Sequence, residues 1–292
     1  MPNNPYISAL RPHQWLKNLL VFVPVLTAHK FGIDYLLSSF LAFFAFSLMA
    51  SGVYVVNDLT DIEADRAHPR KRLRPFASGA ISAQAGQTMA SGLFLISLGI
   101  AVYVNIYCAA VLFLYLIIAV AYSLFLKKRP VIDICCLAGL YTIRIVAGGA
   151  ATAIPLSVWL LAFSVFFFLS LAAVKRQAEL VDSAANGTLK APGRGYHVDD
   201  LPIISNMALT AGYVSVLIMA LYIQSPEITA LYNRPYAIWG ICLVLLYWCS
   251  RIVMITHRGG MHDDPIVFAM KDRISYFCLA LIAAFFIAGV IR

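Results

Sequence analysis

Long apolar segments follow one another along almost the whole chain, with short polar connections between them. A helix needs about 20 mostly apolar residues to cross the hydrocarbon of a bilayer, and lipid tolerates only structures that satisfy their own backbone groups. The chain is 61% hydrophobic and 12% charged, which excludes an ordinary soluble domain. The pattern therefore predicts an all-α membrane protein with one domain, 1–292, and nine transmembrane helices, at roughly 14–29, 35–57, 83–105, 107–126, 131–151, 156–178, 204–224, 235–256 and 274–291.

The basic residues predict how these helices are oriented. With a cytoplasmic N-terminus, the inner connections hold 18 of the 22 Lys and Arg residues, as the positive-inside rule requires. We expect a multi-pass protein of the cell membrane with its polar face in the cytoplasm. The polar start at Asn3 and Asn4 predicts no cleavable signal peptide. The net charge of +8 is explained by this basic inner face and calls for no nucleic-acid partner.

The end of the second apolar segment carries four regularly spaced oxygen-bearing side chains. Asn57, Asp58, Asp61 and Asp65 fall on one face if this stretch is helical. Carboxylates stacked in this way repel one another unless a cation lies between them, and Mg²⁺ prefers such oxygen ligands together with substrate phosphate. The spacing therefore predicts a metal site built from these four residues, for Mg²⁺ or Mn²⁺, with the three aspartates as catalytic residues.

Five bases follow this acidic stretch, at Arg66, Arg70, Lys71, Arg72 and Arg74. They could bind the remaining charge of a metal-bound diphosphate. The alternative is a charged loop that only marks the cytoplasmic side. Because acids are rare beside membrane segments, the regular carboxylate spacing favours the diphosphate site.

Arg144 and Lys17 are cationic side chains inside predicted membrane segments. An ionisable side chain in such a place is a candidate site residue because burial of its charge is costly. Arg144 is predicted to face a polar cavity that binds an anion, and Lys17 to point towards a substrate phosphate. For Lys17 an interfacial anchor beside Trp15 is the alternative.

A second charged stretch, 175–182, leaves the sixth apolar segment and continues into a loop with Arg194 and Tyr196. Together with the first stretch it predicts a two-sided clamp for a metal-bound diphosphate. A surface pair between Lys175 and Glu179, one helical turn apart, is the alternative. The loop at 256–271, with two adjacent glycines, is predicted to be a lid or a solvated connection. The six cysteines are predicted to be core residues, because they show no metal-ligand spacing.

The motif NDxxDxxxD at 57–65 is the first motif of the UbiA superfamily of intramembrane prenyltransferases, which the chain resembles over essentially its whole length. RPHQWLKN at 11–18, YSLFLKKRPVIDI at 122–134, IRIVAGG at 143–149 and KRQAEL at 175–180 resemble its decaprenyl-phosphate phosphoribosyltransferase branch. The resemblance implies a nine-helix UbiA-like bundle with a cytoplasmic polar cap. The resulting substrate-binding set is Lys17, Asn18, Arg66, Lys71, Arg72, Arg74, Tyr122, Arg144, Lys175, Arg176, Glu179, Arg194 and Tyr196.

This resemblance implies transfer of a phosphoribosyl group from phosphoribosyl diphosphate to a polyprenyl phosphate, in the synthesis of cell-wall arabinan precursors. The alternative is a prenyltransferase with an aromatic acceptor, which makes the same demand on the first motif. The motif at 175–180 departs from the aspartate-rich second motif of those enzymes, and the many bases suit a substrate pair that carries a diphosphate, a 5-phosphate and a lipid phosphate. A transporter is disfavoured because the polar residues gather at one face. A homo-oligomer is left open.

Overall fold

The computed structural model describes residues 4–67, 71–191, 193–225, 232–261 and 264–290, with only the backbone at 64 and 67. Arg70, in the predicted diphosphate site, and the 262–263 part of the predicted lid lie outside these ranges. Eight long helices form the described fold: α1 Ile33–Thr60, α2 Ala83–Val104, α3 Ile106–Leu124, α4 Ile132–Thr152, α5 Val158–Ala185, α6 Leu201–Ile223, α7 Trp239–His257 and α8 Arg273–Val290. No strand forms within these ranges, so the all-α prediction is confirmed.

Eight of the nine predicted spans correspond to helices that are long and apolar enough to cross a membrane. The first predicted span, 14–29, differs. It is a 3-10 helix, Pro12–Phe22, followed by a short α-helix, Val23–Thr27. Prolines near the start of each piece remove backbone donors there. Among the described residues the structure therefore supports eight membrane helices, and the count of nine is not shown.

The chain divides into two compact units. The first comprises Met1–Leu124 and Ile143–Leu156. Small residues let its helices approach closely: a Cβ on Gly148 would lie 2.0 Å from the carbonyl oxygen of Val21. This glycine therefore fixes the 3-10 helix against the end of α4. A buried cluster joins four parts of this unit: the short helix Pro5–Leu10, helix α1, the segment before α2, and α2. Its buried residues are Ala9, Val55, Phe76, Ile81 and Ala90.

The second unit comprises Phe125–Thr142 and Ser157–Arg292. The loop after α5 packs tightly on the turn before α4, because a Cβ on Gly195 would lie 2.3 Å from the carbonyl oxygen of Lys128. Tyr196, 1% exposed, fixes this contact by accepting a hydrogen bond of 2.8 Å from the Val131 backbone nitrogen. Val131 has φ 66°, an unusual value for a β-branched residue. The loop is therefore held to the turn by packing and by a partly buried hydrogen bond.

Candidate active site

Two acids and two arginines of the first unit form one cluster, here called the Asp58 cluster: Asp58, Asp65, Arg11 and Arg74. Arg11 Nη2 donates to Asp58 Oδ1 at 2.6 Å and to Oδ2 at 2.8 Å. Arg74 Nη1 donates to Asp58 Oδ1 at 3.1 Å and to Asp65 Oδ2 at 2.7 Å. Asp58 is 2% exposed and Asp65 is 3% exposed. Buried carboxylates need such charge-assisted hydrogen bonds to offset the loss of water.

The end of α1 places the two acids. Asp61 caps the helix, and its backbone nitrogen donates to the Asn57 carbonyl at 3.1 Å. A short helix, Ile62–Ala67, then starts, and the Asp65 nitrogen donates to the Asp61 carbonyl at 2.8 Å. The chain thus stays helical across the motif with one irregular residue. Asp58 and Asp65 turn inward, whereas Asn57 and Asp61 are half-buried.

Backbone geometry brings Arg11 to this cluster. Arg11 joins the helix Pro5–Leu10 to the 3-10 helix Pro12–Phe22 in the left-handed conformation, with φ 50° and ψ 59°. That conformation costs a non-glycine residue about 1–2 kcal/mol. Its guanidinium carbon lies 5.1 Å from the centre of the Tyr54 ring. The strain is therefore offset by contacts of the guanidinium with Asp58 and with an aromatic face.

The basic side chains that follow the acids lie in different environments. Phe76, 2% exposed, anchors the segment in the core and places Arg74 over the acids. Arg66 points away from them, and its Nε donates to the Ala77 carbonyl at 3.1 Å. Lys71 and Arg72 are exposed. Of the four bases described here, the structure brings Arg74 into contact with the acids.

The acids of this cluster fit a divalent cation in their chemistry. Asp58 and Asp65 share one cationic nitrogen of Arg74, so their oxygens converge on one position. Carboxylate oxygens are the ligands that Mg²⁺ prefers. Within the described ranges, no three or more His, Cys, Asp or Glu side chains gather closely enough to hold a metal ion. Metal ligation by Asn57, Asp58, Asp61 and Asp65 therefore stays a prediction.

A deeper polar network of the first unit contains Arg144 and Asn18, which are 5% and 1% exposed. Arg144 Nε donates to Asn18 Oδ1 at 2.7 Å, and its Nη2 lies 3.4 Å from the Tyr115 hydroxyl. Asn18 Nδ2 donates to Ser47 Oγ at 3.1 Å. Lys17 is buried beside Asn18. Arg144 thus has buried polar partners, and the predicted cavity and anion binding there stay predictions.

The second unit holds another group of two acids and two arginines, here called the Asp133 cluster: Asp133, Arg176, Glu179 and Arg194. Arg176 Nε lies 2.6 Å from Asp133 Oδ2, and both side chains are 0% exposed. Arg176 also pairs with Glu179 one turn later in α5. Arg194 Nη1 lies 3.4 Å from Asp133 Oδ1, and its Nε lies 3.9 Å from Glu179. Arg176 is therefore enclosed between carboxylates.

Tyr196, another predicted substrate-binding residue, lies in the loop beside Arg194. Burial raises the pKa of Tyr196 to about 12, so the phenol is neutral at physiological pH. Its oxygen is engaged by the Val131 nitrogen. Tyr196 thus holds the loop to the turn before α4, and substrate contact by this residue stays a prediction. Tyr122, near the end of α3 in the first unit, is half-buried.

Lys175 has a different environment from its neighbour Arg176. Its Nζ lies 3.2 Å from Asp264 Oδ2, and its side chain is 32% exposed. The Tyr141 hydroxyl donates to both carboxylate oxygens of Asp264 at 3.4 Å. The pair with Glu179, considered from the sequence as the alternative, is replaced by this longer-range ion pair. Asp264 also caps the short helix Pro265–Ala269. Its ion pair with Lys175 therefore ties the 256–271 loop to α5.

Sequence reasoning did not place Arg11, Asp133, Tyr141 and Asp264 in the functional set. Arg11 opens the polar run 11–18, and Asp133 is an acid at the start of a membrane helix, a rare position. These were usable signals. Tyr141 and Asp264 carry no comparable signal, because 123 residues separate them along the chain.

Comparison with known proteins agrees with these features. The model of the UbiA prenyltransferase family matches residues 19–271. The chain is 38% identical over 292 residues to the uncharacterized protein y4nM of Sinorhizobium fredii, which covers 99% of this chain and 56% of that protein. This chain therefore spans a little over half the length of that relative. It is 38% identical over 283 residues to the nodulation protein NoeC of Azorhizobium caulinodans, covering 96% of this chain and 91% of that protein.

A third relative is the decaprenyl-phosphate phosphoribosyltransferase of Mycolicibacterium smegmatis, 34% identical over 275 residues, with 92% of this chain and 86% of that protein covered. A solved UbiA homolog from Archaeoglobus fulgidus, bound to GPP and Mg²⁺, superposes with a TM-score of 0.72 at 18% identity, covering 97% of this chain and 99% of the other. At this identity the superposition shows the fold. The chain is a multi-pass membrane protein and belongs to the UbiA prenyltransferase family.

Proposed function

We propose that this protein transfers the 5-phosphoribosyl group of phosphoribosyl diphosphate to a polyprenyl phosphate and releases diphosphate. The observation that carries the proposal is the similarity to a decaprenyl-phosphate phosphoribosyltransferase across 92% of this chain. The motif at 175–180 adds support, because it departs from the aspartate-rich second motif of the aromatic prenyltransferases. A place in cell-wall arabinan precursor synthesis is part of the same proposal, resting on the resemblance.

The Asp58 cluster is the proposed diphosphate site. Asp58 and Asp65 would hold Mg²⁺, or Mn²⁺ as a substitute, with Asn57 and Asp61 as further ligands. When bound, the metal would stabilise the negative charge that develops on the departing diphosphate. Arg74 would bind phosphate oxygens that the metal does not reach, because a guanidinium offers several donors in a fixed fork.

The acceptor is already anionic and needs no general base. One of its phosphate oxygens attacks the anomeric carbon of the ribose, and the bond from that carbon to the diphosphate oxygen breaks. The proposed role of the remaining cations, Lys17, Arg144 and Lys175 among them, is to hold anionic groups whose mutual repulsion would otherwise keep them apart. Arg66, Lys71 and Arg72 are exposed, where they could attract anionic substrates from solution.

The membrane topology is proposed together with this function. Nine spans with a cytoplasmic N-terminus would place most bases on the inner side of the cell membrane, where a water-soluble sugar diphosphate is available. In that topology the predicted segment 14–29 counts as a short first span. Reporter fusions after residues 31 and 80 would test this, since the proposed topology puts the first site outside and the second inside.

The decisive assay incubates the purified protein with Mg²⁺, labelled phosphoribosyl diphosphate and a polyprenyl phosphate. A parallel reaction contains a prenyl diphosphate and hydroxybenzoate. We expect a labelled phosphoribosyl lipid in the first reaction, no product in the second, and no product in excess EDTA. Product in the second reaction alone would replace the proposal with aromatic prenyl transfer, and full activity in EDTA would remove the metal.

A further inference from the structure

The Asp58 cluster has an unusual property for a metal-diphosphate site: its acids already carry cationic partners. Both oxygens of Asp58 accept from Arg11, and Arg74 bridges Asp58 to Asp65. These arginines use the carboxylate lone pairs that a divalent ion would need. Arginine and metal therefore compete at three of the four carboxylate oxygens, both of Asp58 and Oδ2 of Asp65.

Charge decides how this competition can be resolved. Two carboxylates and two guanidinium groups sum to zero, so a divalent ion added alone would face two nearby positive charges. A diphosphate added together with the metal brings anionic oxygens to which both arginines can turn. The positive charge of the arginines therefore opposes binding of the metal alone, whereas binding of the metal together with diphosphate is favoured.

The partial exposure of the two arginine side chains allows them to change partner. Their side chains are 21% and 28% exposed, whereas those of Asp58 and Asp65 are 2% and 4% exposed. An arginine that leaves its carboxylate therefore still reaches water or a ligand. Arg11 also lies 5.1 Å from the centre of the Tyr54 ring. That contact can keep the guanidinium at the site while its N–H groups change partner.

We propose that Arg11 and Arg74 are exchangeable counter-cations, which hold Asp58 and Asp65 and pass to the diphosphate oxygens when a metal-bound diphosphate enters. Arg11 thereby becomes a diphosphate-binding residue, and metal binding becomes coupled to diphosphate binding. The inference rests on the proposed metal-diphosphate site. It applies to either donor, because phosphoribosyl transfer and prenyl transfer both release diphosphate.

The test uses the full-length protein in detergent, with Mn²⁺ and inorganic diphosphate as probes. Electron paramagnetic resonance measures the Kd for Mn²⁺ alone, and equilibrium dialysis measures labelled diphosphate binding at saturating Mn²⁺. For Arg11→Gln we expect Mn²⁺ alone to bind about tenfold more tightly and diphosphate about tenfold more weakly, the size of one charge-assisted hydrogen bond. Arg74→Gln should shift both constants in the same directions.

Opposite changes of the two constants are the signature of exchange. Arg11→Lys should recover part of the diphosphate binding, and Arg129→Gln, which removes an exposed base outside the cluster, should change neither constant. Weaker or unchanged Mn²⁺ binding in both Gln variants would overturn the proposal. So would loss of the folded protein in both, because the arginines would then be structural. Failure here would leave the donor assignment intact, since the assay with labelled phosphoribosyl diphosphate decides that separately.

Discussion

The Asp58 cluster and the Asp133 cluster contain the same groups, two carboxylates and two arginines, yet only the second contains an arginine that is fully buried. In the Asp58 cluster the side chains of Arg11 and Arg74 are 21% and 28% exposed. In the Asp133 cluster the side chain of Arg194 is 19% exposed, whereas that of Arg176 is 0% exposed and pairs with an equally buried Asp133. Composition alone would rate the two clusters equally suited to bind phosphate.

The difference in burial distinguishes Arg176 from the other three arginines. An arginine at the water boundary can leave its carboxylate without losing all solvation. A fully buried arginine cannot, because breaking a buried ion pair leaves an uncompensated charge in a low-dielectric interior. We infer that Arg176 mainly fixes α4 to α5, whereas Arg11 and Arg74 can exchange partners.

The largest expected effect is on catalysis in the Asp58 cluster. Asp58→Asn keeps the side-chain shape but removes a proposed metal ligand, and kcat should fall about 10²–10³-fold or more. Asp61→Asn, at a half-buried helix end, should also abolish turnover while leaving the fold intact. The measurement is kcat with labelled donor, beside a melting curve. Asp182→Asn, at an exposed acid of α5, is the matched control. A wild-type kcat in Asp58→Asn would show that the Asp58 cluster is not needed for catalysis.

The next effect is on stability in the Asp133 cluster. Arg176→Met should destabilise the protein by about 3–5 kcal/mol, because it leaves Asp133 buried without its closest cation. Replacing both residues, Arg176→Met with Asp133→Leu, should recover most of that loss. Denaturant unfolding in detergent measures both. A stable single variant with impaired substrate binding would instead make Arg176 a phosphate ligand.

Lys175 sharpens the comparison, because it adjoins Arg176 but is a third exposed. If it binds a substrate phosphate, Lys175→Ala removes a charge-assisted contact worth about 1.5–3 kcal/mol, or roughly ten- to a hundredfold in kcat/KM. Its melting temperature should change little, since the pair with Asp264 is partly solvated. The measurement is kcat and KM of Lys175→Ala for both substrates, beside a melting curve. Wild-type values would return Lys175 to an ion pair that only tethers the 256–271 loop.

The smallest effect concerns a reference ion pair at the start of α8, outside both clusters. Arg251 donates to both oxygens of Asp272, and these hydrogen bonds lower the pKa of Asp272 to about 2. Because the folded pKa lies below the unfolded value of 3.8, the stabilisation is complete above that value. It is lost as the pH falls towards 2.

This loss should amount to about 2 kcal/mol between pH 6 and pH 2, as the shift implies. Asp272→Asn should lack this contribution at pH 6 and show a flatter stability profile. Thermal unfolding at several pH values measures it. Equal pH dependence in the variant and the wild type would show that this partly exposed pair contributes little to stability.

The sequence by itself determined the membrane class, eight of the helices and the family, because these follow from local patterns. Hydrophobic length decides which segments can cross a bilayer. The motif at 57–65 carries its chemistry in consecutive helical turns, so its acids could be recognised without the fold. The polar environment of Arg144 followed in the same way, from the cost of a charge inside a span.

Tertiary structure decided which charges meet and which are buried. Asp133 and Arg176 are 43 positions apart in sequence, Arg11 and Asp58 are 47 apart, and no spacing rule links them. Lys175 and Arg176 are adjacent in sequence, yet successive residues of a helix point in different directions and meet different elements. One contacts a distant loop and the other the start of α4. The strength of a charge depends on its distance to partners and to water, and both distances arise only when the chain is packed.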